Sequence, residues 1–157
     1  MKMNTQDKIV AVIVFLVIGT GIAILFGGPM AQQGSSSNVE QQALLDLNDC
    51  RTDVYNKPAY EPIRSHLAAP ENQFMMSPFQ LSESSMPTDG ERKTLAAYQA
   101  ENNACKEAAL KKFEEANPEQ AKKIKEMIDK SNNSMQQLID GKISWGEAAQ
   151  QMDKLRQ

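Results

Sequence analysis

The stretch TDGERKTLAAYQAENNACKEAALKKFEEANPEQ, residues 88–120, decides the fold. Thr88 and Glu91 have the spacing of a capping box, in which a hydroxyl accepts from the amide three residues on and the carboxylate reaches back to the first amide. Behind them Leu95, Tyr98, Asn102, Cys105, Ala109, Phe113 and Ala116 recur every three or four positions, the period that lines one face of an α-helix. Asn117 then reads as a new helix cap, with Pro118 at the first helical position, where its missing amide costs nothing. The spacing predicts a long helix that ends at Ala116 and a second that starts at once.

Downstream, Ala121, Ile124, Ile128, Ser131, Met135 and Leu138 carry the stripe of that second helix. Gly141 stands where a helix ends in a left-handed cap, and Ser144-x-x-Glu147 opens a short last helix in which Ile143 staples onto Ala148. Charges at i,i+4, such as Glu107 with Lys111, Glu119 with Lys123 and Glu126 with Lys130, mark solvated faces and contribute a few tenths of a kcal/mol each. The run LIDGKISWGEAAQQMDKL, residues 138–155, resembles the helix-turn-helix ending of exported bacterial helical proteins; the resemblance covers that run alone and implies no residue role.

Upstream, Pro58, Pro62, Pro70, Pro78 and Pro87 interrupt residues 58–90 too often for a long helix, although EPIRSHLAA (61–69) allows a short one. Tyr60, Ile63, Leu67, Phe74, Met75, Met76, Phe79 and Leu81 make this connection too apolar for a solvated linker. It is expected to pack over the helices or onto a partner, with Phe74, Met75, Met76 and Phe79 as the candidate partner surface. Before it, Ser37-x-x-Glu40 fits a capping box, and Val39, Ala43, Leu47, Cys50 and Val54 predict a first helix running to Lys57. Residues 39–157 thus read as an all-α bundle of about four helices with a long proline-rich connection.

Cys50 and Cys105 fall on the apolar stripes of the first two long helices, so burying those faces against each other brings the two thiols together. A disulfide is expected there, closing a loop worth roughly 4 kcal/mol on the chain-entropy model. The pair lacks CxxC spacing, which excludes a thioredoxin-type motif or a four-cysteine zinc site.

Residues 9–26, IVAVIVFLVIGTGIAILF, are uninterruptedly apolar, and at about 1.5 Å per residue they nearly match a hydrocarbon core of about 30 Å. Lys2 and Lys8 precede this stretch and no charge follows until Glu40, which places residues 1–8 in the cytoplasm by the positive-inside rule. Residues 9–26 are expected to be a retained transmembrane signal-anchor, residues 27–38 a flexible tether, and the helical domain exported to the periplasm, with cleavage and secretion as the alternative. Gly19, Ala23 and Gly27 recur every four residues, a small-residue face on which another membrane helix, or a second copy, would pack closely.

Seventeen basic against twenty acidic residues leave a net charge of −3, without the basic surplus that draws proteins to nucleic acid. His66 is the single histidine, and no HExxH, GxSxG or glycine-rich phosphate loop occurs, so the sequence nominates no catalytic residue, resident metal or cofactor. His66 itself reads as an exposed polar residue. The expected role is that of a non-catalytic accessory or assembly subunit that binds a larger membrane or envelope protein. A periplasmic helical chaperone or inhibitor is the alternative, and copper handling by His66, Met75, Met76 and Met86 a more remote one.

Overall fold

In a computed structural model of the chain, the described residues are 36–69 and 76–155. They form six α-helices and one 3₁₀ turn: α1 (Ser36–Tyr55), the 3₁₀ turn (Pro58–Tyr60), α2 (Glu61–Arg64), α3 (Pro78–Ser82), α4 (Asp89–Ala116), α5 (Pro118–Ile139) and α6 (Trp145–Lys154). Among these residues there is no strand, and no helix is long and apolar enough to cross a membrane. The apolar stretch 9–26, with Gly19, Ala23 and Gly27, lies outside them.

Helix α4 is the spine, about 42 Å long at 1.5 Å per residue. Its start is the expected capping box: Thr88 Oγ1 accepts from the Glu91 amide at 3.3 Å, and Glu91 Oε2 accepts from the Thr88 amide at 2.7 Å. Asn117 closes α4 and caps α5 at once, accepting from the Gln120 amide at 3.2 Å while donating its own amide to Phe113 O at 2.7 Å. One residue joins the two helices, so they fold back on each other with no linker to order.

Helix α1 lies antiparallel against α4. Its register is recorded by Asp46 paired with Lys112, Cys50 bonded to Cys105, and Lys57 donating to Glu101 at 2.9 Å. Beyond α1 the same alignment continues to Tyr60, whose ring meets Tyr98 edge-on at 5.2 Å. Helix α5 runs antiparallel along another side of α4, where Lys106 donates to Asn132 Oδ1 at 3.0 Å. Gln99 donates to the Asn132 carbonyl at 3.2 Å.

The core divides along the spine. At the far end of α4, Phe113 packs with Ala43, Leu44, Ala121 and Ile124. Toward its start, Leu95, Tyr98 and Cys105 pack with Val54, Tyr60, Ile63, Leu138, Trp145 and Ala148. The stripes read from the sequence supply most of these residues. Helix α1 departs from its expected bounds: it begins at Ser36, so Ser37 lies inside its first turn, and it stops at Tyr55, where Asn56 and Lys57 turn back onto Thr52 and Val54.

The proline-rich connection is more structured than its punctuation implied. Besides the short helix at Glu61–Arg64, it holds α3, opened by a capping box in which Ser77 and Gln80 exchange bonds and Pro78 takes the first position. The segment after α3 docks on α6. Any helix leaves its first amides without intrahelical acceptors. Here Trp145 N donates to Ser85 O at 3.1 Å, Gly146 N to Glu83 O at 2.8 Å, and Glu147 N to its cap Ser144 Oγ at 3.2 Å. Gln150 Nε2 adds a bond to Leu81 O at 2.8 Å.

This docking requires glycine at 146. A Cβ there would stand 2.4 Å from Glu83 O and 2.9 Å from Glu83 N, both backbone atoms that cannot swing aside. Gly146→Ala is expected to lower stability by about 1–3 kcal/mol through overpacking, whereas Gly90→Ala, with open space around it, leaves the fold intact. Thermal melting of the two variants side by side checks this.

Candidate functional site

Two groups of side chains stand out, and they sit on different parts of the bundle. The first is the disulfide. Cys50 and Cys105 are bonded with their Cα atoms 5.8 Å apart, inside the range that unstrained bridges occupy. The sequence placed both in the interior, but only Cys105 is buried, at 3% exposure; Cys50 is exposed. A stripe gives the direction of a helix face and not the width of what covers it, and Cys50 lies at the uncovered margin of the α1–α4 seam.

The residue that follows each cysteine is cationic, Arg51 after Cys50 and Lys106 after Cys105. Lys106 is withdrawn from water, and burial, with the Arg51 guanidinium nearby, pushes its ammonium down to about 8. Breaking the bridge by Cys50→Ala with Cys105→Ala is expected to cost about 4 kcal/mol, since the loop it closes is long. Denaturant unfolding of the variant beside the oxidised parent measures that loss, and equal midpoints would show the bridge to be idle.

The second group surrounds the connection. Phe79, on α3, has 73% of its surface exposed, the largest value among the exposed apolar side chains described. Met76 is half-buried and Met86 exposed, while Phe74 and Met75 lie outside the described residues. The turn beneath Phe79 is fixed from behind. Gln80 Nε2 bridges Ser65 O and Leu67 O at 3.3 and 3.0 Å, and the Leu81–Ser85 backbone is bonded to α6 as above.

His66 is part of that backing and not the exposed polar residue its sequence position implied. Its ring lies flat on Trp145, centroids 4.3 Å apart and planes 12° from parallel. Nδ1 is 2.9 Å from Glu83 Oε2, and Nε2 is 3.7 Å from Glu91 Oε1. Side-chain exposures of 19%, 12% and 22% for His66, Glu83 and Glu91 put all three largely out of solvent.

Each carboxylate commits one oxygen elsewhere and turns the other to the ring. Glu83 Oε1 accepts from Ser85 Oγ at 2.6 Å, and Glu91 Oε2 accepts from the amide and hydroxyl of Thr88 at 2.7 and 2.8 Å. Burial would raise the Glu83 carboxyl, but the bonds from Ser85 and His66 outweigh it and hold it below the ordinary carboxylate value.

Chemically, this arrangement clamps. The Ser85 hydroxyl is spent on Glu83. Both ring nitrogens face carboxylates; of the His66, Met75, Met76 and Met86 set considered from the sequence, Met75 lies outside the described residues. Among the described residues no set of three His, Cys, Asp or Glu side chains converges as metal ligands. Comparison with protein-family models, with curated proteins and with solved structures finds no match for this chain.

Because the Glu83 carboxyl sits lower in the folded chain than in an unfolded one, its contribution is full above about pH 4.5 and drains away as the pH falls below that. Melting temperature is expected to fall more steeply between about pH 5 and 3 in the parent than in Glu83→Gln, where no carboxylate remains to protonate. Parallel curves for the two proteins would contradict this assignment.

Proposed function

We propose that the chain is a membrane-anchored accessory or assembly subunit of the cell envelope, which works by binding a larger membrane or envelope protein and not by catalysis. The apolar stretch 9–26 is its single-pass anchor in the inner membrane, with the N-terminus cytoplasmic and the bundle periplasmic. A bridge that closes a long loop supports an oxidising compartment, because reducing compartments keep such thiols free. The small-residue face of Gly19, Ala23 and Gly27 would meet a partner's membrane helix.

The observation that carries the reading is Phe79. An exposed aromatic ring on a turn whose backbone is already ordered loses little entropy when a partner covers it, which is the condition for a binding hot spot. Its placement fits a tethered role. Helix α1 starts ahead of the Asp46–Lys112 pair, at the far end of α4, whereas the Phe79 turn leads into Glu83, which His66 ties to Glu91 in the first turn of α4; about 31 Å of α4 separates Glu91 from Lys112. The start of α1 and the contact surface stand apart, as a subunit bracing the exported face of a larger assembly requires.

Extraction of the full chain in mild detergent followed by native-size analysis tests the proposal. A complex well above the monomer is expected, and Phe79→Asp is expected to release the chain from it with little change in melting temperature, since most of the ring is already in solvent. A free monomer at native expression level overturns it.

A further inference from the structure

His66, in the connection, touches Glu83 of the same connection, Glu91 of α4 and Trp145 of α6, and so lies between two fixed carboxylates. A carboxylate only accepts, so the 2.9 Å contact assigns a proton to Nδ1, which donates to Glu83. In the neutral ring Nε2 is then a lone pair facing Glu91 Oε1 across 3.7 Å, an unfavourable pairing. In the imidazolium both nitrogens donate, and the same geometry becomes two charge-assisted contacts.

We propose that His66 is a proton-operated clasp: protonated, it bridges Glu83 and Glu91 and holds the Phe79 turn against α4 and α6; deprotonated, it loses the Glu91 arm and lets that turn slacken. The groups facing the ring decide the direction. From the connection comes Glu83, from α4 Glu91, and from α6 the indole of Trp145, which does not titrate. The nearest acid along α6, Glu147, is engaged with the Ser144 amide at 2.7 Å. Arg64, on the ring's own segment, donates to Lys57 O and lies over Tyr55.

Gain of one proton by the ring converts the unfavourable Nε2 pairing into a bridging one, which is what makes the clasp proton-operated. By linkage, contacts made by the protonated form are present at the acid side and lost as the pH rises through its titration. The acid limit is set by Glu83, whose protonation removes the other arm. This inference rests on the clasp geometry and holds whatever the turn binds.

The molecule supplies its own reporter, because His66 and Trp145 are the single histidine and single tryptophan of the chain and they are stacked. Trp145 emission of the full chain in detergent, titrated from pH 5 to 8, is expected to change along one sigmoid. Hydrogen exchange of the peptide spanning residues 143–150, which contains the Trp145 and Gly146 amides bonded to the connection, is expected to lose about tenfold protection, corrected for intrinsic rate, on the alkaline side.

Two variants separate the clasp from a ring that merely titrates. Glu91→Gln keeps the capping box and the stacked ring, so the emission change persists while the pH step in protection shrinks to what the Glu83 contact alone supplies; His66→Gln abolishes both. A flat emission curve, or an emission sigmoid with unchanged protection in the parent, overturns the proposal. So does a protection step that Glu91→Gln leaves at its full size.

Discussion

The first-turn amides of α6 have no acceptors within their own helix, and the way they find them organises half the molecule. The carbonyls of Ser85 and Glu83 supply the need, which fixes a length of irregular chain in register against a helix terminus. Gly146 permits the approach, and Ser144 with Glu147 completes the cap. From that docking follow the position of Glu83 beside His66, the stacking of His66 on Trp145, and the rigidity of the turn that displays Phe79. A segment whose composition reads as a loop is built as a wall because backbone polar groups at a helix end cannot be left unpaired.

The other half depends on how α1 lies along the spine. Its residues are mostly polar, its neighbour is chiefly α4, and its buried side chains are few: Ala43, Leu44, Val54 and Tyr55. A helix with so narrow a seam gains modest hydrophobic stabilisation. The Cys50–Cys105 bridge compensates by restricting the unfolded ensemble, which explains why it sits where packing is thin and one of its sulfurs belongs to an exposed residue. Surface pairs such as Asp46 with Lys112 mark the same register but contribute little of its energy.

Much of the architecture was legible because it is written in local rules. Thr88 with Glu91, Asn117 with Pro118, Gly141 with its positive φ of 66°, and Ser144 with Glu147 set helix boundaries that tertiary contacts did not shift. Ser77-Pro78-x-Gln80 obeys the same capping rule and opens α3, yet the density of prolines around it masked a helix only one turn long. The exposure of Cys50 was hidden for another reason: a three-and-four rhythm names the face that turns inward without saying how far the neighbouring helix extends over it. The His66 cluster was the least accessible. Glu83 and Glu91 lie 17 and 25 positions from it, and Trp145 much farther, and no periodicity relates them; only the docking of the connection on α6 brings the four together.

The antiparallel lie of α1 on α4 has a mechanical side. A pull applied at Ser36 runs down α1 and is stopped at the sulfur bridge to α4. Residues 36–49 can be peeled away under tension, but the chain from Cys50 to Cys105 is a closed ring and yields no further extension. The aromatic turn lies within that ring, so traction on the leading end cannot unravel it while the covalent link lasts.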